Sequence, residues 1–314
     1  MPQSPREITG TKAVSSHRAA RPAWGAYAFK RLILLLLTLP AGAAAQSCEW
    51  RSAFHNGESL TYDLYFKWGI LMPRAGIAHF TVRETAYKGK AWEYKLQFNT
   101  TGMFDKVYRM RDTLTTYFTE DNRVIFSDKR TEEGGYYLVD QLTFTGGTAG
   151  AASGRAAGNA GSSASVHSFR YARSGVKIDT TLVVEGCLYD MMAATMYLRS
   201  IDWAGLRVKD EYPFRVIVGR DVVNVSYRYT GQAVVSPDEK TRYRTHHFYI
   251  DVYDPAFEQS KEAAEVWVGD DANHLPIRVR AKLKIGAVEV YIKTAATLKH
   301  PFTSKISIAD AFYR

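Results

Sequence analysis

Most of this chain alternates between apolar and polar positions with a period of two. Between Glu58 and Trp68, the residues Leu60, Tyr62, Leu64, Phe66 and Trp68 fall on one side and Thr61, Asp63, Tyr65 and Lys67 on the other. That period belongs to a β-strand with one buried face. Ala75–Tyr87 repeats it through Ala78, Phe80 and Val82. After a Lys88-Gly89-Lys90 turn, Trp92, Tyr94, Leu96 and Phe98 mark a third strand. Strands joined by turns this short pair antiparallel. Further runs at 113–119, 123–130, 135–145, 166–173 and 176–184, then at 212–218, 222–235, 242–251, 263–268, 275–285 and 287–297, are rich in Tyr, Thr, Val and Phe, which strand surfaces prefer.

One segment breaks the period. Residues 187–201, Cys-Leu-Tyr-Asp-Met-Met-Ala-Ala-Thr-Met-Tyr-Leu-Arg-Ser-Ile, are good helix formers and apolar nearly all round, which predicts a largely buried helix. A shorter helical turn is predicted over Met103–Tyr108. About a dozen strands are too many for a flat sheet, which curls or closes at that size. The expected fold is therefore mainly β: a large curved antiparallel sheet or half-open barrel with one buried helix at 187–201. Residues 145–165 hold Gly, Ala, Ser, Thr and Asn with one Arg and no large apolar side chain. With nothing to bury, they read as a disordered hairpin tip between the strands on either side, a domain linker being the alternative. The strand patterns on both sides look alike, which favours a single β-rich domain over 46–314.

The N-terminus reads as an export signal. Lys30 and Arg31 precede the apolar run Leu32–Leu39; Pro40 and Gly42 break it, and Ala43-Ala44-Ala45 supplies the small residues that signal peptidase requires. The run is too short to span a bilayer. Residues 1–45 are thus expected to be a signal peptide with an over-long leader containing Arg6, Arg18 and Arg21, so the protein is expected in the periplasm or at the outer membrane. Gln46 spoils a lipoprotein pattern before Cys48. The leader holds six of the 41 basic residues and one of the 32 acidic ones, so the remainder is only mildly basic. Its Lys and Arg are scattered among strands, which gives no support for nucleic-acid binding. In an oxidising compartment the two cysteines, Cys48 and Cys187, are candidates for one bridge, worth roughly 4–5 kcal/mol by loop entropy.

Candidate chemistry is sparse. His246 and His247 are neighbours on a strand and point to opposite faces, so they cannot grip one metal; His79, His274 and His300 add no ligand spacing. Asp270-Asp271-Ala272-Asn273 lacks the other ligands of a calcium loop and reads as a hairpin turn between Val268 and Leu275. There is no nucleophile elbow and no phosphate loop. The strand carboxylates Asp63, Glu93, Asp251 and Glu265 read as solvated faces. No catalytic, cofactor or metal residue is assigned. The aromatics suit core packing or, alternatively, an apolar cavity in an incomplete barrel. The candidate pocket comprises Tyr62, Phe66, Trp68, Tyr94 and Phe98 from the sheet, with Met192 and Met196 from the helix.

Several segments taken in order carry a family resemblance: Asn56 to Gly69 (Asn-Gly-Glu-Ser-Leu-Thr-Tyr-Asp-Leu-Tyr-Phe-Lys-Trp-Gly), Ala75-Gly76, Tyr189-Asp190-Met191-Met192 with Tyr197-Leu198-Arg199, Val266-Trp267-Val268, Asp271, Leu275-Pro276-Ile277 and Ile285-Gly286. The series resembles the domain of unknown function 3108 family of bacterial exported proteins. The resemblance implies a curved antiparallel sheet similar to lipoprotein-carrier folds and carries over no catalytic residue. Gly76 suits close strand approach, and Pro276 an edge or bulge. The function expected first is non-catalytic: binding or carrying a lipid or other apolar or amphipathic envelope molecule between the sheet and the helix. An envelope-assembly factor working through a protein partner is the alternative, and a hydrolase of envelope glycan or peptide a weaker one. An integral outer-membrane barrel fits less well, because many strands carry Lys or Arg on the polar face.

Overall fold

The computed structural model describes residues 51–145, 163–185, 188–253, 260–283 and 286–307, all within the unit Gln46–Arg314. The expected signal peptide, the Cys48–Cys187 bridge and the interior of the 145–165 insertion lie outside the described residues.

Each predicted strand is present. The first half of the chain forms β1 (Ser59–Lys67), β2 (Arg74–Thr85), β3 (Ala91–Thr100), α1 (Gly102–Val107), β4 (Arg111–Thr119), β5 (Val124–Glu133), β6 (Tyr136–Thr145), β7 (Ser163–Ala172) and β8 (Gly175–Glu185). The second half forms α2 (Met191–Ser200), β9 (Glu211–Val218), β10 (Asp221–Val235), β11 (Thr241–Tyr253), β12 (Ser260–Gly269), β13 (Pro276–Lys282), β14 (Ala287–Ala296) and β15 (Lys305–Ser307). Lys88 and Gly89 both have positive φ within the five-residue β2–β3 connection, residues 86–90. The strands on either side of the 145–165 insertion pair directly, Thr145 facing Ser165 across the β6–β7 ladder.

All the strands form one antiparallel sheet in the order β8-β7-β6-β5-β4-β3-β2-β1-β14-β13-β12-β11-β10-β9, with the short β15 beside β11. The two halves of the chain meet where β1 pairs with β14. The edge strands β8 and β9 do not pair, so the sheet is not closed. It is nevertheless strongly curled. In sheet order β7 and β10 stand eleven ladders apart, roughly 50 Å if the sheet were flat. Yet Ser168 on β7 donates to the Gly219 carbonyl in the β9–β10 turn at 2.7 Å. Val166 and Phe118 from one half likewise share a core with Val223, Val225 and Tyr227 from the other, around Met192 and Met196 of α2.

Two glycines allow close approaches. A Cβ on Gly76 would stand 2.5 Å from the Asn99 carbonyl oxygen, and one on Gly286, at φ +78, 2.2 Å from that of Lys67. Pro276 lies at a register shift between β12 and β13, the bulge expected of it.

Candidate functional site

Which side chains face the hollow follows from register. Tyr94 is in the core around α2, so Leu96 and Phe98, two and four residues on, share its face. Across β4 these three oppose Thr116, Leu114 and Asp112. The same face continues through Ser127 and Lys129 on β5, Leu142 and Asp140 on β6, and Ser168 and Arg170 on β7.

The helix α2 occupies part of this concave face and is pinned at both ends. At its N-terminus Asp190 is 3% exposed and caps the helix, accepting from Ala193 N at 2.8 Å. The same carboxylate accepts from the Ser127 hydroxyl at 2.7 Å and from Thr116. Burial pushes its pKa up, against those hydrogen bonds. Residues 188–190 therefore do not extend the helix back to Cys187 as the composition suggested. Tyr189 runs beside β9, donating to the Arg215 carbonyl and accepting from Ile217 N, both at 2.9 Å. In the last turn of α2, Arg199 is buried against Glu58, both side chains 1% exposed. Its guanidinium grips both Glu58 oxygens, at 2.7 and 3.0 Å, and donates to the carbonyls of Asn273 and Ala53. Burial works to lower the Arg199 pKa, but Glu58 outweighs it and holds the group charged. Every polar contact at this end faces protein, so this end is sealed.

Beyond the seal lies a cleft of about 580 Å³ formed by residues 51–53, 199–204 and the His274 and His300 turns. The Trp203 ring packs on His274 and His246 there, with centroids 4.4 and 4.7 Å apart.

The other end is open. Where α2 begins, Leu114, Leu138, Leu142 and Met191 form apolar walls around Lys129, Asp140 and Arg170, enclosing about 140 Å³. Arg170 holds Asp140 through two nitrogens, Nη2 at 2.9 Å. Next to this cleft Asp112 turns inward with Oδ1 buried and without a hydrogen-bond partner. Burial, and then the charge of Glu133, hold its carboxyl up at about 6. Neighbouring inward residues Leu64, Phe66, Leu96 and Phe98 are half-buried and extend the apolar inner face along β1 and β3 as a partly covered wall. The cleft alone is below the roughly 300 Å³ usual for a ligand pocket; with that wall the site has an apolar floor and a charged corner. Such an arrangement can hold an amphipathic molecule. Among the described residues no group of side chains could hold a metal ion.

The seven residues expected to line a pocket are spread out. Tyr94, Met192 and Met196 are buried in the core around α2, and Tyr62 is buried in a second cluster with Leu60 and Ile292. Phe98 packs at the margin of that cluster, and Phe66 stands 6.2 Å from Phe104 of α1. Trp68 does not line the hollow. It is 62% exposed, because β1 ends at Lys67 and Trp68 already belongs to the turn. None of the seven lines the clefts described above. The inward charges were missed, although β6 carries a readable signal: Asp140 interrupts an otherwise apolar inward series of Leu138, Leu142 and Phe144. Three of the strand carboxylates are ion-paired on the outer face and not simply solvated. Asp63 meets Arg74, Asp251 meets Arg228 while only 1% exposed, and Glu265 meets His247 and Arg280. Residues 270–273 form the hairpin turn between β12 and β13, closed by Gly269 N to the Leu275 carbonyl.

A family model described as a protein of unknown function, DUF3108, matches residues 61–293. No curated protein matches the chain. Among solved structures, a beta-barrel-like protein of domain of unknown function DUF1849 from Brucella abortus is similar at 11% identity and a TM-score of 0.46, over 78% of this chain and 98% of that one. A protein from Bacteroides fragilis, described as exported and with a YmcC-like fold, is similar at 8% identity and a TM-score of 0.29, covering 79% and 99%. One from Parabacteroides distasonis, described as a lipoprotein, is similar at 8% identity and a TM-score of 0.28, covering 80% and 100%.

Proposed function

The chain belongs to the DUF3108 family, whose function is unknown, and from its own geometry we propose that it binds and carries an amphipathic molecule of the bacterial envelope. The observation behind this reading is the half-covered concave face. The helix α2 fills one part of the hollow and leaves an apolar wall with Lys129, Asp140 and Arg170 at its corner. An acyl or similarly apolar part would lie on Leu64, Phe66, Leu96 and Phe98, driven by removal of apolar surface from water. A polar or charged head would sit beside Lys129 and Arg170. The signal-like leader supports export to the periplasm or outer membrane as part of the same reading. Among the described residues no helix is long and apolar enough to cross a membrane.

The test is lipid mass spectrometry on the protein purified from its native envelope. A co-purifying amphipathic species is expected, reduced about tenfold or more in Leu138→Glu, which places a charge on the apolar wall. A protein that carries no such species, or a Leu138→Glu variant that retains it in full, would overturn the reading. A stable protein partner captured in its place would favour an assembly role.

A further inference from the structure

The exposed apolar side chains are gathered at one end of the molecule. Strand directions place the turns at 68–73, 101–110, 134–135, 173–174, 219–220 and 283–286 together, at the end where the hollow opens. The β1–β2 turn projects Trp68, Leu71 and Ile70, the last 100% exposed. Trp68 and Leu71 exchange both backbone hydrogen bonds, at 2.9 and 3.0 Å, so the turn is held in shape while its side chains face water. Beside it α1 exposes Met103 and Val107, 77% and 79%, and the β13–β14 turn adds Leu283. These turns are neighbours: Phe104 packs on Phe66, Thr101 N donates to the Ala75 carbonyl at 3.0 Å, and Gly286 abuts Lys67. Of the exposed large apolar side chains among the described residues, Val183, Val208 and Val234 stand away from this end, and Met191 lies in the cleft at the start of α2.

The charge around the β1–β2 turn and α1 is mainly basic, whereas Glu132 and Glu133 flank the 134–135 turn and Asp221 follows the 219–220 turn. Residues 67–74 contain Lys67 and Arg74 and no acidic residue, and Lys106 and Arg109 flank the apolar side of α1. The nearby carboxylates are already engaged, Asp63 by Arg74 and by Lys293 at 3.4 Å, and Asp105 by Arg111 at 2.6 Å. Apolar side chains at the tips of separate turns, with an interfacial Trp and basic residues behind them, match a lipid surface. Trp68, Ile70, Leu71, Met103, Val107 and Leu283 stand on separate connections and line none of the clefts described above, so they offer no packed groove of the kind a protein segment would need. We infer that this end docks on an anionic lipid bilayer, with Trp68, Ile70 and Leu71 entering the interface and Lys67, Lys106 and Arg109 facing the headgroups. The docking does not depend on what the hollow holds, although it would set the mouth of the hollow against the membrane.

The test is flotation of the purified protein with vesicles of phosphatidylcholine, alone or mixed with phosphatidylglycerol. Binding to the mixed vesicles is expected, weakened by added salt. The doubly substituted Ile70→Asp, Leu71→Asp protein should bind about tenfold less or weaker still, and folding should stay intact because both side chains are exposed, at 100% and 58%. Val234→Asp, a similarly exposed apolar site at the opposite end, should bind as before. Trp68→Phe should lose part of the blue shift in fluorescence that vesicles induce. No flotation with anionic vesicles, undiminished binding by the double variant, or equal loss in Val234→Asp would overturn the inference. So would capture of a protein by this end without vesicle binding. If the double variant still co-purifies with an envelope lipid, its failure to dock is separate from any failure of the carrier reading.

Discussion

Asp112 illustrates what one inward-facing residue adds. Phe98 opposes it on β3, Lys129 lies diagonally across on β5 opposite Leu114, and its Oδ1 is buried without a partner. A carboxyl raised from 3.8 to about 6 prefers its proton in the folded state. Between those two values the folded protein binds more protons than the unfolded chain, so stability falls as pH rises through that window and is level above it. Asp112→Asn removes this loss. Relative to the wild type, its melting temperature should rise between pH 4 and pH 6 and then keep a constant lead, which thermal melts across that range would show; parallel curves would refute the assignment. Trp68 marks the limit of reading single residues from alternation. Its parity with Leu60 and Tyr62 is right, but parity has no meaning once the strand has ended.

At the scale of the element, α2 depends on its two pins. Arg199→Met leaves Glu58 buried and unpaired, which costs about 3–5 kcal/mol for a buried pair of this kind. The double change Glu58→Met, Arg199→Met removes both charges and should recover much of that loss. Urea unfolding of the three proteins measures it, and equal destabilisation of the single and double variants would contradict the pairing. The helix itself was legible from Met, Ala and Leu, and the strands from their period, because both signals span only a few residues. The helix start was not legible from composition. Asp190 takes the capping position with Thr116 and Ser127 bound to the same carboxylate, and those partners come from β4 and β5. The short β15 was missed as well, since three residues are too few for a period to register.

For the whole molecule, the 145–165 connection joins strands that are themselves paired. Because β6 and β7 pair directly, replacing residues 147–161 with Asn-Gly should leave the fold intact and move Tm by no more than about 4 °C. A loss of cooperative melting would show that the segment packs on the sheet. Chain order alone predicts a meander within each half, and both meanders are present. The sequence by itself determined the strands, their antiparallel neighbours, the single buried helix and the need for curvature, because period, propensity and strand number are local or additive properties. Only the tertiary structure decided that β1 joins β14, that Ser168 reaches Gly219, and that Glu58 and Arg199, 141 residues apart, close one end of the hollow. Those outcomes depend on how far the sheet curls around α2. Curl is set by the summed twist and packing of every strand, a quantity no short window of sequence contains.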